Sequence, residues 1–302
     1  MRRLVLAVVL LVTAACSQGG GGDDPAPDGA SPGGKDDATS TPSTALADEV
    51  GFAVRCDVSH RAPDDPIVHF GHDGASHDHT FFGNVSTDAG STAASLLAAA
   101  TTCAVDGDRS AYWAPTLIDG DRPVEATHVD AYYLTGGKDP ATIGPFPTGL
   151  AMVSGDAFAT REQSPTVVTW GCGDRSGRAE SRTVPACPEG STLHLRVRFP
   201  DCWDGEHLDS PSHRTHVAWP AGAGCPTSHP VSLPRLVLDV VYPIEGGRNV
   251  SLTSGSALTG HADVLAAWEP EVLTELVETC LRAGRVCGRV RGSDLPLPPS
   301  PS

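Results

Sequence analysis

Several protein classes are excluded by what this chain of 302 residues lacks. After Val12 no apolar run approaches the ~20 residues that a membrane-spanning helix needs. Basic residues are scarce, with 21 Lys and Arg against 37 Asp and Glu, and the net charge is −16. Nucleic acids and anionic lipid surfaces bind basic faces, so we expect neither to be a direct partner.

Motifs of several well-known sites are also missing. The chain has no His-Glu-x-x-His, no Walker-type phosphate loop and no dinucleotide-binding fingerprint. It has no Cys-x-x-Cys pair either, which disfavours a cysteine-rich zinc site. The chain does have histidines that cluster in short segments beside carboxylates. These segments supply the candidate metal-binding and catalytic residues.

The N-terminus is typical of an export signal. Arg2 and Arg3 precede a short apolar run at 4–12, and small residues lead to Cys16. This pattern predicts a bacterial lipoprotein with lipid attached to Cys16; the alternative is an ordinary cleaved signal peptide. The protein would then be exported and anchored by this lipid to the extracytoplasmic face of the cell membrane.

Composition divides the rest of the chain. A Gly-, Pro- and Asp-rich stretch follows the signal, so we predict a signal peptide at 1–16 and a disordered tether at 17–49. The length of the remainder predicts one globular domain at 50–291, and the Pro-rich end predicts a disordered tail at 292–302.

The cysteines outside the signal form an even set of eight, which predicts disulfides in an exported domain. About a hundred connectivities are open to eight cysteines. Sequence spacing suggests four pairs: Cys172 with Cys187, Cys280 with Cys287, Cys202 with Cys225, and Cys56 with Cys103.

Short apolar runs broken by Gly and Pro predict a mainly β fold. Strands are predicted at 129–134, 166–170, 192–199 and 236–242, and the alternation in 192–199 predicts one wet face. Helical spacing predicts helices at about 92–102 and 270–283, the second begun by Pro270 and ended by Gly284. We therefore expect a sandwich-like or irregular β core, stabilised by disulfides, with a few peripheral helices.

Two pairs of histidines stand out. His77 and His79 would share one face of a strand, and His213 and His216 one face of a helical turn. Histidine with carboxylate is a usual ligand set for zinc, iron or manganese. The open alternative is that these histidines are polar loop residues bonded to backbone carbonyl groups.

A third segment, Gly-His-Ala-Asp at 260–263, has two interpretations as well. Taken alone, Asp263 reads as the N-cap of a helix. Taken with the other segments, it predicts a site for a divalent metal ion, whether zinc, copper, manganese or iron. The predicted metal ligands are His77, His79, His213, His216, His261 and Asp263, and the predicted catalytic carboxylates are Asp204 and Asp209.

Several motifs occur in the order in which a known family has them. They are Asp-Pro-Ile-Val at 65–68, Ser-His-Asp-His-Thr-Phe-Phe-Gly-Asn at 76–84, Ser-Ala-Tyr-Trp-Ala-Pro at 110–115, Phe-Pro-Asp-Cys-Trp-Asp-Gly at 199–205, Leu-Asp-Ser-Pro at 208–211, Ser-His-Arg-Thr-His-Val-Ala at 212–218 and Cys-Pro-Thr-Ser-His-Pro-Val at 225–231. Over about 52–244 the chain resembles the secreted bacterial and fungal family of domains of unknown function numbered nineteen ninety-six. His261 and Trp268 continue the likeness.

The resemblance implies export and a cell-wall or polysaccharide setting, but it assigns no role to any residue. His69 and His72 are extra to its pattern, so we do not place them in a shared site. The resulting hypothesis is a metal site that acts on an extracellular saccharide or ester. The alternatives are a non-catalytic glycan-binding lipoprotein, with Trp113, Trp170, Trp203 and Trp219 as a sugar-stacking face, and a metal-capture protein without turnover.

Overall fold

A computed structural model describes residues 46, 49–173 and 180–295. The predicted signal peptide with Cys16, nearly all of the predicted tether and the tail after residue 295 lie outside the described residues. Among the described residues, no helix combines the length and the apolar character that crossing a membrane requires. Gly292–Asp294 forms a short 3-10 helix, so regular structure continues just past the predicted end at 291.

Strands dominate the described part of the chain. They are β1 Gly51–Ala62, β2 His79–Gly83, β3 Ala111–Pro115, β4 Leu117–Asp119, β5 Arg122–Val124, β6 His128–Leu134, β7 Ala151–Gly155, β8 Val168–Cys172, β9 Leu193–Arg198, β10 Cys202–Trp203, β11 Val217–Ala218, β12 Val231–Ser232, β13 Arg235–Tyr242, β14 Val250–Leu252, β15 Gly255–Ser256, β16 His261–Leu265 and β17 Val286–Arg289. The α-helices are α1 Ala93–Leu97 and α2 Pro270–Leu276, and α2 continues as a π-helical segment, Val277–Arg282. Further 3-10 helices are Pro140–Thr142 and Ala257–Thr259.

One large sheet organises the fold. Its strand order is β7-β16-β3-β2-β1-β6-β13-β9-β8, and β17 pairs in parallel with β1. The long strand β1 pairs with β6 through its first half and with β2 through its second half, which joins the two parts of the sheet. The sheet nearly closes where Ser154 Oγ of β7 donates to the carbonyl of Arg198 of β9 at 2.5 Å. The predicted mainly β class is confirmed.

Side chains of the sheet form hydrophobic clusters on both of its faces. Because side chains alternate along a strand, Phe82 and Tyr112 enter the main core while their neighbours Phe81 and Trp113 face the other side. Leu96 of α1 covers this second cluster together with the loop that precedes β2. The second face also carries the candidate site.

The predicted C-terminal helix is confirmed, and the predicted helix at 92–102 is too long. Helix α2 and its π-helical continuation begin at Pro270 and end before Gly284, whose φ of +65° suits a helix stop. Helix α1 ends at Leu97, and soon after it Thr101 forms a β-bridge with Asn84, the residue that follows β2.

All four predicted disulfides are present. Cys56 bonds to Cys103, Cys172 to Cys187, Cys202 to Cys225 and Cys280 to Cys287. Such a set is typical of proteins that fold in an oxidising, extracellular environment.

The predicted wet face of segment 192–199 is wrong, although the strand itself is confirmed as β9. His194 and Arg196 are buried, and both approach Asp239 of β13. The His194 Nδ1–Asp239 distance is 2.9 Å and the Arg196 Nε–Asp239 distance is 3.2 Å. The alternation therefore separated the polar from the apolar side chains of β9 correctly. The polar side chains His194 and Arg196, however, are buried against Asp239 and do not face solvent.

A buried carboxyl group in the main core makes stability depend on pH. Asp108 is fully buried and accepts a hydrogen bond from Tyr112 Oη at 2.8 Å. Burial raises its pKa from 3.8 to about 7. Between those values the folded protein keeps a proton that the unfolded chain releases, so this carboxyl group lowers stability as pH rises from about 4 to 7.

We expect Asp108→Asn to remove the loss of stability that Asp108 causes between pH 4 and pH 7. Urea unfolding at each pH measures the free energy of unfolding of both proteins. The value for the variant minus that for the parent should rise by a few kcal/mol between pH 4 and pH 7. A difference between the two proteins that does not change with pH would contradict this account.

Candidate metal centre

The candidate site lies on the second face of the sheet, across β2, β3 and β16. His79 begins β2, and His261 and Asp263 occupy alternate positions of β16, so both point to the same face. The N-cap interpretation of Asp263 is wrong because the residue lies inside a strand, where it pairs in register with Trp113 of β3.

Three imidazoles converge here and form what we call the imidazole cluster: His77, His79 and His261. One ring nitrogen from each lies within 4.8 Å of those of the other two. The Nε2 atoms of His77 and His261 are 3.2 Å apart, and the ring centroids of His77 and His79 are 4.2 Å apart. The sequence predicted this convergence of His77 and His79 with His261.

Backbone carbonyl groups fix the tautomers of two of these rings. His79 Nδ1 donates to the carbonyl of Asp64 at 2.9 Å, and His261 Nδ1 donates to that of Thr259 at 2.8 Å. A carbonyl oxygen only accepts, so the proton of each neutral ring is on Nδ1 and the lone pair is on Nε2. This is the usual arrangement of metal-binding histidines.

Burial also keeps these rings neutral. It lowers the pKa of His77, lowers that of His79 well below its usual value, and lowers that of His261 to about 4. At neutral pH the cluster therefore presents uncharged imidazoles, the form that binds metal ions.

A second set, here called the carboxylate cluster, shares His79 and adds Asp65 and Asp263. Its ligand atoms also lie within 4.8 Å of one another. His79 Nε2 and both carboxylate oxygens of Asp263 are buried without a hydrogen-bond partner. Burial raises the pKa of Asp65 and raises that of Asp263 well above its usual value.

Asp65 was not among the sequence-predicted site residues. It lies in the loop before β2 and uses Oδ1 to accept the amides of Ile67 and Val68, each at 2.9 Å. It does belong to the Asp-Pro-Ile-Val motif of the family resemblance, which is the signal that could have found it.

A cavity of about 390 Å³ opens onto both clusters. Asp65, His77, His261 and Asp263 line it, and so does His69, which we had not placed in a shared site. The cavity gives a ligand access to His77 and His261.

His213 lines the same cavity, and Asp209, one of the two predicted catalytic carboxylates, orients it. His213 Nδ1 donates to Asp209 Oδ2 at 2.9 Å, so Nε2 is the ring nitrogen that Asp209 does not engage. The segment forms turns without the predicted helical turn, and His213 has a φ of +56°, in the left-handed region that non-glycine residues rarely adopt. Such strain is more frequent at functional sites.

The structure does not bring Asp204 or His216 to this cavity. Asp204 caps an exposed turn by accepting the amides of Glu206 and His207, each at 2.9 Å. His216 is buried, and both its ring nitrogens are bonded: Nε2 donates to the carbonyl of Ala151 at 2.7 Å, and Nδ1 accepts from Ser210 Oγ at 3.1 Å. Their predicted roles in the site remain predictions.

These contacts give His216 a measurable structural role. We expect His216→Ala to lower the free energy of unfolding by about 2–3 kcal/mol, because it removes a buried ring and its hydrogen bonds. Metal stoichiometry, measured by elemental analysis, should be unchanged. Loss of metal with unaltered stability would instead make His216 a ligand.

Of the tryptophans predicted as a sugar-stacking face, Trp113 and Trp170 are buried in the core. Trp219 is 37% exposed, with the guanidinium of Arg235 at 6.0 Å from its ring centroid. Trp219 also lines a second cavity with Ser154 and Gln163.

Fold and site together define a disulfide-bonded, mainly β protein with histidine and carboxylate groups that could hold a metal ion. The chain belongs to the family described as Domain of unknown function (DUF1996), whose model matches residues 65–268. The resemblance is thereby confirmed. No curated protein and no solved structure matches the chain.

Proposed function

We propose that the imidazole cluster binds one divalent transition-metal ion, and that the protein uses it to hydrolyse an extracellular saccharide or ester. The observation that carries the proposal is the convergence of His77, His79 and His261 with ring nitrogens within 4.8 Å. Zinc, copper, manganese and iron are the candidate ions, since all accept imidazole ligands.

Accessibility supports a catalytic use over a purely structural one. Three protein ligands beside an open cavity resemble catalytic metal sites, which keep a position for water or substrate, whereas structural sites are closed. A bound divalent ion would lower the pKa of a water molecule and polarise a carbonyl or glycosidic oxygen. His213, oriented by Asp209, would then accept the proton of that water.

Location is part of the proposal. The apolar run at 4–12 before Cys16 supports export and a lipid anchor on Cys16, which would hold the domain at the extracytoplasmic face of the cell membrane. Cell-wall or extracellular polysaccharide would be the neighbouring polymer there, and no nucleic-acid partner is proposed.

The test is an assay of the metal-loaded protein on chromogenic esters, glycosides and cell-wall glycans. We expect turnover that is lost on chelation, restored by metal, absent in His261→Ala and retained in His72→Ala, which alters an exposed loop histidine. Metal binding without any turnover would favour metal capture and would refute the hydrolytic role.

A second candidate is non-catalytic glycan binding, favoured by the exposed Trp219 beside the polar groups of Ser154 and Gln163. It predicts that glycan retention survives His77→Ala and is lost in Trp219→Ala. Affinity electrophoresis in glycan-containing gels separates the two functions.

A further inference from the structure

The carboxylate cluster contains three buried polar atoms without a hydrogen-bond partner. His79 has its proton on Nδ1, bonded to the carbonyl of Asp64, so its Nε2 is an acceptor. The two oxygens of Asp263 are acceptors as well when this carboxyl group is ionised. His79 is fully buried and Asp263 is 1% exposed, and these three atoms lack hydrogen-bond partners.

Acceptors cannot satisfy one another, and a proton satisfies two of them only when they are in hydrogen-bond contact. Arg214 lines the same cavity, but its guanidinium donates to the carbonyl groups of Val153 and Gly155, at 3.2 and 2.6 Å. A metal ion would interact with all the facing acceptors at once. Buried charges in proteins are normally paired or bound to metal.

We propose that the carboxylate cluster, Asp65, His79 and Asp263, binds a divalent cation of its own, so that the centre holds two ions. This inference rests on the proposed function, because the first ion is the one at the imidazole cluster. His79 Nε2 has a single lone pair, and the proposed function assigns it to the ion at the imidazole cluster. The second ion therefore takes the carboxylates of Asp65 and Asp263 and completes its coordination with water.

The geometry fits a pair of ions. Within each cluster the ligand atoms lie within 4.8 Å of one another, and the clusters share His79, so the ion positions are adjacent, as in two-metal hydrolytic sites with ions about 3.5–4 Å apart.

The two positions differ in ligand chemistry. The imidazole cluster suits zinc, iron or copper, whereas the oxygen-rich carboxylate cluster suits a harder ion such as manganese or magnesium. Manganese accepts both kinds of ligand, so it serves as the probe for both positions.

The test is titration of the purified metal-free protein with Mn²⁺, followed by calorimetry and electron paramagnetic resonance. We expect two equivalents per chain and a spin-coupled signal. Asp65→Asn should bind one equivalent and give the six-line spectrum of isolated Mn²⁺. Asparagine keeps an Oδ1 for the amides of Ile67 and Val68, so the loop is retained. His261→Ala should also bind one equivalent.

The matched control is Asp88→Asn, which changes an exposed aspartate whose Oδ1 likewise accepts a backbone amide, from Gly90 at 2.9 Å. It should bind two equivalents. One equivalent in the parent protein would overturn the two-ion inference while leaving the proposed metal site standing. Zero equivalents of Mn²⁺ would also overturn the two-ion inference, and zero equivalents of Zn²⁺ in the same titration would refute the proposed function itself.

Discussion

Replacing His261 with alanine is expected to lower the affinity of the imidazole cluster for zinc by more than about a hundredfold. His261 is 3% exposed, and its Nε2 faces that of His77 at 3.2 Å, so the substitution removes one of three converging ligand atoms. Competition between the protein and a chromogenic chelator, at pH 7 and fixed ionic strength, measures the change.

Two controls make this result specific. His72→Ala removes an exposed histidine from the loop before β2 and should leave zinc affinity unchanged. Urea unfolding of metal-free His261→Ala should show a cooperative transition, which confirms that the variant folds. Parental zinc affinity in a folded His261→Ala protein would mean that the imidazoles are structural.

The second large effect concerns stability. Removing the disulfide between Cys56 and Cys103 is expected to cost about 4 kcal/mol, because it frees a loop with a sequence separation of 47 residues in the unfolded chain. Removing the one between Cys280 and Cys287, with a separation of 7, should cost about 2 kcal/mol. Both estimates follow the chain-entropy account of disulfides, in which the longer loop gains more.

The double variants Cys56→Ala with Cys103→Ala, and Cys280→Ala with Cys287→Ala, form a matched pair. Guanidinium unfolding under non-reducing conditions gives the free energy of unfolding of each. Equal losses in the two variants, or a larger loss for the short loop, would show that local packing outweighs loop closure here.

Much of the fold could be predicted from the chain because it depends on local patterns. Alternating and continuous apolar runs located β6, β8, β9 and β13, and Pro270 with Gly284 delimited the C-terminal helix. Loop spacing suggested the four disulfides that the structure contains. The strand and helix signals depend on neighbours in sequence, so they can be recognised without knowledge of tertiary contacts.

Sequence patterns failed where pairing between distant strands determines the environment of a residue. Asp263 resembles an N-cap locally, but pairing with β3 and β7 places it in a strand. The alternation of β9 indicated a wet face, but Asp239 on β13 lies opposite His194 and Arg196 and buries all three.

In the candidate site, too, tertiary contacts add what the sequence does not contain. Histidine clustering pointed to His77, His79 and His261, which do converge. It also pointed to His216, whose ring nitrogens are used by Ala151 and Ser210, and to Asp204, which caps a turn. Asp65 escaped notice because no histidine of a predicted ligand pair lies next to it in sequence, and the loop before β2 brings it to the site.

The most direct test of the account is the metal content of the domain, residues 45–302, purified oxidised and without a histidine tag. Elemental analysis before and after incubation with zinc, copper, manganese and iron should find at least one near-stoichiometric divalent metal ion per chain. That content should fall in His77→Ala and stay in His72→Ala. No metal above background in the parent protein, after incubation with each ion, would contradict the metal centre.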